Sequence, residues 1–126
     1  MEINEIVCSL ENAKKLKELH VNQQSYFMWY IDDELYPTRI LTTKFCKAGE
    51  FKELRLYSAF TAQELLNILR FKSFINISPD NVFACSVYYQ PENGTDNSYS
   101  FQGNNLADLL AKVLIAQIKE GEFKNE

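Results

Sequence analysis

The chain has 126 residues, a formal charge of −4, a pI near 5.1 and 46% apolar side chains. That length suits one domain, residues 1–126, with a real core, and the apolar content excludes a disordered chain. Positions 1–60 carry eight basic and nine acidic residues and positions 61–126 carry five and eight, so neither half has the basic face that a phosphate-contacting nucleic-acid binder normally shows.

Met1 to Cys8 is a short lead with Ile3, Ile6 and Val7 apolar, suited to an edge strand or an anchored arm. No basic-then-apolar leader opens the chain and no stretch approaches transmembrane length. Cys8, Cys46 and Cys85 are far apart and odd in number. Together these features point to free thiols in a reducing, cytoplasmic setting without a membrane partner.

Ser9 offers an N-cap to a first helix whose stripe is Leu10, Ala13, Leu16 and Leu19 and which ends near His20. Gln24 to Ile31 is a dense aromatic run, too short for a typical helix, and reads as a central strand. Alternation puts Phe27, Trp29 and Ile31 on one face and Tyr26, Met28 and Tyr30 on the other. Asp32-Asp33-Glu34 reads as a solvated turn, with cation binding as the competing use. Arg39 to Cys46 reads as a second strand, closing a hairpin, and Leu54 to Tyr57 as a short extended piece.

Phe60-Thr61-Ala62-Gln63-Glu64-Leu65 is the sharpest local signal. Thr61 and Glu64 have the spacing of a capping box, and Phe60 and Leu65 that of a hydrophobic staple. A second helix is therefore expected from Ala62 to about Phe71. Lys72 to Asn81, with its Ser-Pro-Asp-Asn turn, reads as a connector. Val82 to Tyr89 reads as a strand with Phe83, Cys85, Val87 and Tyr89 on one face. Asn93-Gly94 lies in a hairpin loop, and Ser98 to Gln102 returns with Tyr99 and Phe101 inward.

The last helix spans Asn104 to Gly121. Asn104 or Asn105 can be its N-cap; if it is Asn105, Asp108 stands at the third helical position, and Gly121 fits the C′ residue. Leu106, Leu109, Leu110, Val113, Leu114 and Ile118 form an apolar stripe, and Asp108, Lys112 and Lys119 form a narrow polar strip. Such a helix is mostly buried. Gln117 falls inside the apolar stripe, where its amide either reaches backbone or water or contacts a partner.

Chemistry is sparse. No Gly-rich phosphate loop, CxxC or HExxH occurs, and one histidine with three scattered cysteines is a weak basis for zinc. The residues call for no cofactor and no metal. His20 has the position of a residue closing a helix, which weighs against a general base or metal ligand. Lys14, Lys15 and Lys17 cluster locally and are the one opening for nucleic acid, which the charge balance disfavours.

Ser9 to Leu19, Gln24 to Phe27 with Trp29, Tyr57 to Leu66 and Asn105 to Ala111 together resemble small uncharacterised proteins encoded by bacteriophages and prophage-like mobile elements. Those proteins often carry Gly where this chain has His20, and Pro where Phe60 stands. The resemblance implies no activity and no catalytic residues.

The expected fold is α+β: helix, hairpin, helix, hairpin, helix, giving a mainly antiparallel sheet with three helices packed chiefly on one face. The expected function is that of a non-enzymatic accessory or protein-interaction protein of a phage or mobile element in the host cytoplasm. The alternative is a small ligand-binding domain or enzyme whose site is assembled from His20, Asp32 and Gln117. The long and second helices should cover Phe27, Trp29, Phe83, Val87 and Phe101. The opposite face would then show Tyr26, Met28, Tyr30 and Tyr88, an aromatic surface suited to self-association or to a host or phage protein. Coverage by the first helix would instead make those side chains ordinary core.

Overall fold

The structure is a computed structural model that describes residues 3–31, 39–48, 55–69, 74–81, 84–91 and 98–120. After a 3-10 turn at Ile3–Glu5 the elements are α1 (Leu10–Glu18), β1 (Phe27–Tyr30), β2 (Arg39–Thr42), α2 (Thr43–Ala48), β3 (Leu56–Ala59), α3 (Ala62–Ile68), β4 (Phe74–Asn81), β5 (Ala84–Gln90), β6 (Tyr99–Gly103) and α4 (Leu106–Lys119). The fold is α+β, with two three-stranded antiparallel sheets in the orders β2-β1-β3 and β4-β5-β6.

The helix ends follow their local sequence. Ser9 Oγ accepts from the Asn12 N–H, and Asn105 Oδ1 accepts from the Asp108 N–H, as N-caps do. At α3, Thr61 Oγ1 accepts from the Glu64 N–H at 3.3 Å, while Glu64 Oε1 accepts from the Thr61 N–H at 2.9 Å. The capping box is complete, and the staple pair Phe60 and Leu65 is fully buried. Helix α1 closes at His20, whose φ is 64°. The His20 N–H donates to Lys17 O and the Val21 N–H to Leu16 O, both at 3.0 Å. This pair of bonds is a Schellman motif with histidine at the left-handed position, and Val21 packs into the same core as Leu16. His20 therefore has the helix-closing role expected of it.

Four expectations are corrected. The strand expected over Arg39 to Cys46 stops at Thr42, and α2 follows, so the described residues hold four α-helices rather than the expected three. Helix α2 is seated by tertiary bonds: the Thr43 N–H donates to Tyr26 O, and Thr43 Oγ1 donates to Ser25 O. Residues 74–81 of the expected connector form strand β4, paired along β5 with an irregularity between Pro79 and Asn81. Pro79 is tolerated because β4 is an edge strand. The extended piece at Leu56 pairs with β1, so each hairpin gains a third strand and the sheet becomes two. Helix α3 ends at Ile68, short of Phe71.

Helix α4 is the central piece, as its apolar stripe predicts. Leu110, Ala111, Val113 and Leu114 are fully buried. It packs on α3, on α1, and on β5 and β6, while α1 packs on β3, so the helices join the two sheets. The inner face of the second sheet supplies Val87 and Tyr89, with Phe101 at its side. The inner face of the first sheet supplies Trp29 and Tyr57. Each fully buried Leu or Val contributes roughly 1.5–3 kcal/mol before entropy is charged against it.

The lead is an anchored arm. Val7 O accepts from Asn105 Nδ2 at 2.8 Å, the Cys8 N–H donates to Phe60 O at 2.9 Å, Cys8 O accepts from Trp29 Nε1 at 2.9 Å, and the Ser9 N–H donates to Asp108 Oδ1 at 2.8 Å. Three consecutive residues are thus tied to α4, to the approach of α3 and to β1.

Candidate functional site

The residues singled out from sequence are scattered. His20 is exposed on the turn after α1, whereas Gln117 is fully buried in α4, so the two share no solvent-facing surface. Asp32, with the rest of the Asp32–Glu34 turn, lies outside the described residues, as do Asn93-Gly94, Phe83 and Gly121. Lys14 and Lys17 turn toward the first sheet: their Nζ atoms stand 6.0 and 4.8 Å from the Tyr57 ring centroid, and Lys17 Nζ donates to Leu56 O. Lys15 points elsewhere and pairs with Glu11 at 3.5 Å. The three lysines do not make one basic patch.

The four residues of the expected aromatic face fall on different sheets. Tyr88 is on the outer face of the second sheet, opposite Asn76 and Ser100, in a polar setting. Met28 and Tyr30 belong to the outer face of the first sheet, with Ser58 and Leu41 beside Met28. Met28 is buried there, as is Cys46 of α2, and α2 packs against β1 and β2. Arg39 lies over the half-buried Tyr30 ring.

Tyr26 is different: it is 67% exposed. Its N–H donates to Glu64 Oε2 at 2.8 Å, and its carbonyl accepts from the Thr43 N–H at 2.9 Å. Its ring meets the edge of Phe27 at 4.9 Å. The same glutamate that completes the α3 capping box therefore fixes this tyrosine's backbone. Phe45, two residues past Thr43, is 56% exposed.

A second feature is a cleft of about 550 Å³ between α1, α4 and β6. Lys15 and Glu11 stand on the α1 side, Tyr99 and Phe101 on the β6 side. Helix α4 supplies Asp108, Lys112, Ile115, Ala116 and Lys119, the polar strip of the sequence with two apolar residues beside it. The rings of Tyr89, Tyr99 and Phe101 form a stacked row, with centroids 5.6 and 6.3 Å apart.

The charges in this cleft pair along each helix, Glu11 with Lys15 on α1 and Asp108 with the Lys112 charge on α4. Burial acts to raise the Asp108 carboxyl, but bonds from the Ser9 N–H and the Asn12 amide, with the Lys112 charge, outweigh it and hold the group below the usual aspartate value. Asp108 is thus committed to the joint with the lead. Tyr99 Oη donates to Glu120 Oε1, and this bond chiefly raises the phenol above its ordinary value.

The Cys8 and Cys46 thiols are held in their neutral form. Burial pushes Cys8 up to about 12, against the small opposing effect of its bond to Phe60, and burial also raises Cys46. None of the three cysteines is in a disulfide. Among the described residues, no group of three or more His, Cys, Asp or Glu side chains could hold a metal ion, and no helix is long and apolar enough to cross a membrane.

Sequence reasoning found Tyr99 and Phe101 as inward strand residues and Lys112 and Lys119 as a polar strip, but did not bring them together. The available signal was that strip itself, since a polar line on an otherwise buried helix marks where its cover is open. No protein-family model, curated protein or solved structure matches the chain.

Proposed function

We propose that this is a non-enzymatic accessory protein of a phage or mobile element that works by protein contact, with Tyr26 as its anchor and Phe45 as a neighbouring contact. The observation that carries this reading is Tyr26, two-thirds exposed yet fixed by hydrogen bonds at both its N–H and its carbonyl. Aromatic side chains dominate the centres of protein interfaces. A tyrosine whose backbone is already ordered loses little further entropy on binding. Four of the side chains capable of chemistry have other tasks: His20 closes a helix, Glu64 caps one, Asp108 holds the lead and the Cys8 thiol is sealed. The phage or mobile-element setting rests on the resemblance of the helix and strand segments described above.

The test pairs light scattering at two concentrations with capture of partners from an infected or lysogenic host, each run on the natural chain and on a Tyr26→Ser/Phe45→Ser variant. Both positions are exposed, so the variant should keep its melting temperature within a few degrees. Loss of an oligomer or of a captured partner by this folded variant is the expected result. A chain that is monomeric throughout and captures the same proteins with or without these rings ends the proposal.

A further inference from the structure

We propose that the cleft between α1, α4 and β6 is a binding site for a small aromatic anion, a flat ring system bearing a carboxylate, sulfonate or phosphate. It uses other elements than the Tyr26 surface and does not depend on that reading. The volume, about 550 Å³, lies within the range of small-molecule sites, roughly 300–1,000 Å³.

The charge of the lining runs against that of the molecule. The chain is acidic overall, at −4, yet three lysines, Lys15, Lys112 and Lys119, line this cleft against two carboxylates, Glu11 and Asp108. Asp108 is turned into the joint, where it accepts from Ser9 and Asn12. Glu11 holds Lys15 through a 3.5 Å pair whose side chains are 50% and 79% exposed, an arrangement that gives little up when Lys15 moves to a ligand. Glu120, a further carboxylate at the end of α4, accepts the Tyr99 hydroxyl.

The shape of the lining supplies the other half of the specificity. Tyr99 and Phe101 are stacked nearly parallel, at 14°, and Ile115 faces the same space from α4. A planar ring set beside Phe101 and Ile115 would cover apolar surface that the fold leaves at the cleft. Lys112 and Lys119 stand seven positions apart, hence on one side of α4, where both ammonium groups can reach the anionic end. Lys15 meets it from the opposite wall.

The test is an NMR titration of the full-length, isotope-labelled chain with naphthalene-1-sulfonate, naphthalene-1-methanol and inorganic sulfate. The expected result is saturable shifts at Tyr99 to Phe101 and Lys112 to Lys119 with the sulfonate, and much weaker effects from the alcohol and from sulfate alone. A Lys112→Gln/Lys119→Gln variant, altered only on the polar strip, should stay folded, with a melting temperature lowered by no more than a few degrees through the lost Lys112 charge beside Asp108, and bind the sulfonate about tenfold or more weakly. Three results overturn the site: no saturable shift, shifts mapping to other elements, or a folded double variant that binds as tightly as the natural chain.

Discussion

The two sheets are alike in size and opposite in how they are covered. In the second sheet, Val87 and Tyr89 close directly on α4, and the outer face is polar, with Asn76, Tyr88 and Ser100 in a row. In the first sheet, both faces are apolar. Trp29 and Tyr57 look toward the core, and Met28 is buried on the far side, where, among the described residues, the six-residue α2 packs with Phe45 still exposed. A sheet with one polar face is finished by one helix. A sheet with two apolar faces needs a second cover, and the part of it among the described residues is the short α2. The difference separates a half that holds the fold together from a half that presents aromatic surface.

The largest expected effect breaks the comparison if it fails. Leu110→Ala, in the centre of α4, should destabilise by about 3 kcal/mol through lost burial and a residual cavity, whereas Phe45→Ala on α2 should change stability by no more than about 0.5 kcal/mol. Chemical denaturation of both variants decides it; comparable losses at the two positions would show that α2 is core after all.

Asp108→Ala tests the joint between α4 and the lead. It leaves the Ser9 N–H and the nearly buried Asn12 amide without their acceptor and should cost about 2 kcal/mol near neutral pH. The folded aspartate holds its proton less tightly than the unfolded one, so its stabilisation is present above the ordinary aspartate value of about 3.9 and disappears as pH falls through the lowered folded value. The gap in stability between the natural chain and the variant should therefore shrink below about pH 4. A gap that stays constant on acidification would mean that the charge of Asp108 is irrelevant to the joint.

The smallest effect is a gain. His20 holds a left-handed backbone at a position with an exposed side chain, so His20→Gly should raise stability by about 1 kcal/mol. Thermal melts read it directly. No gain would mean that the imidazole stabilises the helix end by more than its backbone strain costs.

The parts of this fold that were legible in the sequence are those written in neighbouring residues. Ser9, Thr61 with Glu64, and Asn105 with Asp108 each announced a helix start, and the position of His20 after its helix announced the stop. Strand β4 was hidden because Ser78-Pro79-Asp80-Asn81 carries turn chemistry, which pairing along β5 overrides. Helix α2 was hidden because Thr43 to Ala48 is too short to show a period, and its start is set by Ser25 and Tyr26, seventeen or more positions earlier. The cleft was legible only as a strip on one helix; that Lys15 and Phe101 would face it is a matter of packing, which no local pattern carries.

The knot of bonds at residues 7–9 also bears on the order of events during folding. The Ser9 N–H waits for a carboxylate 99 positions later in the chain, and Val7 O waits for an amide 98 positions later. Contacts of such long sequence separation slow folding, because the intervening loop must close before they stabilise anything. At about 5–20 residues per second of synthesis, roughly 5–20 s separate the appearance of Ser9 from that of Asp108. Throughout that interval the segment around Cys8 has neither α4 nor its burial, so a thiol that is sealed in the finished protein is open in the nascent one. A reagent or chaperone that meets this cysteine must do so before the last helix emerges.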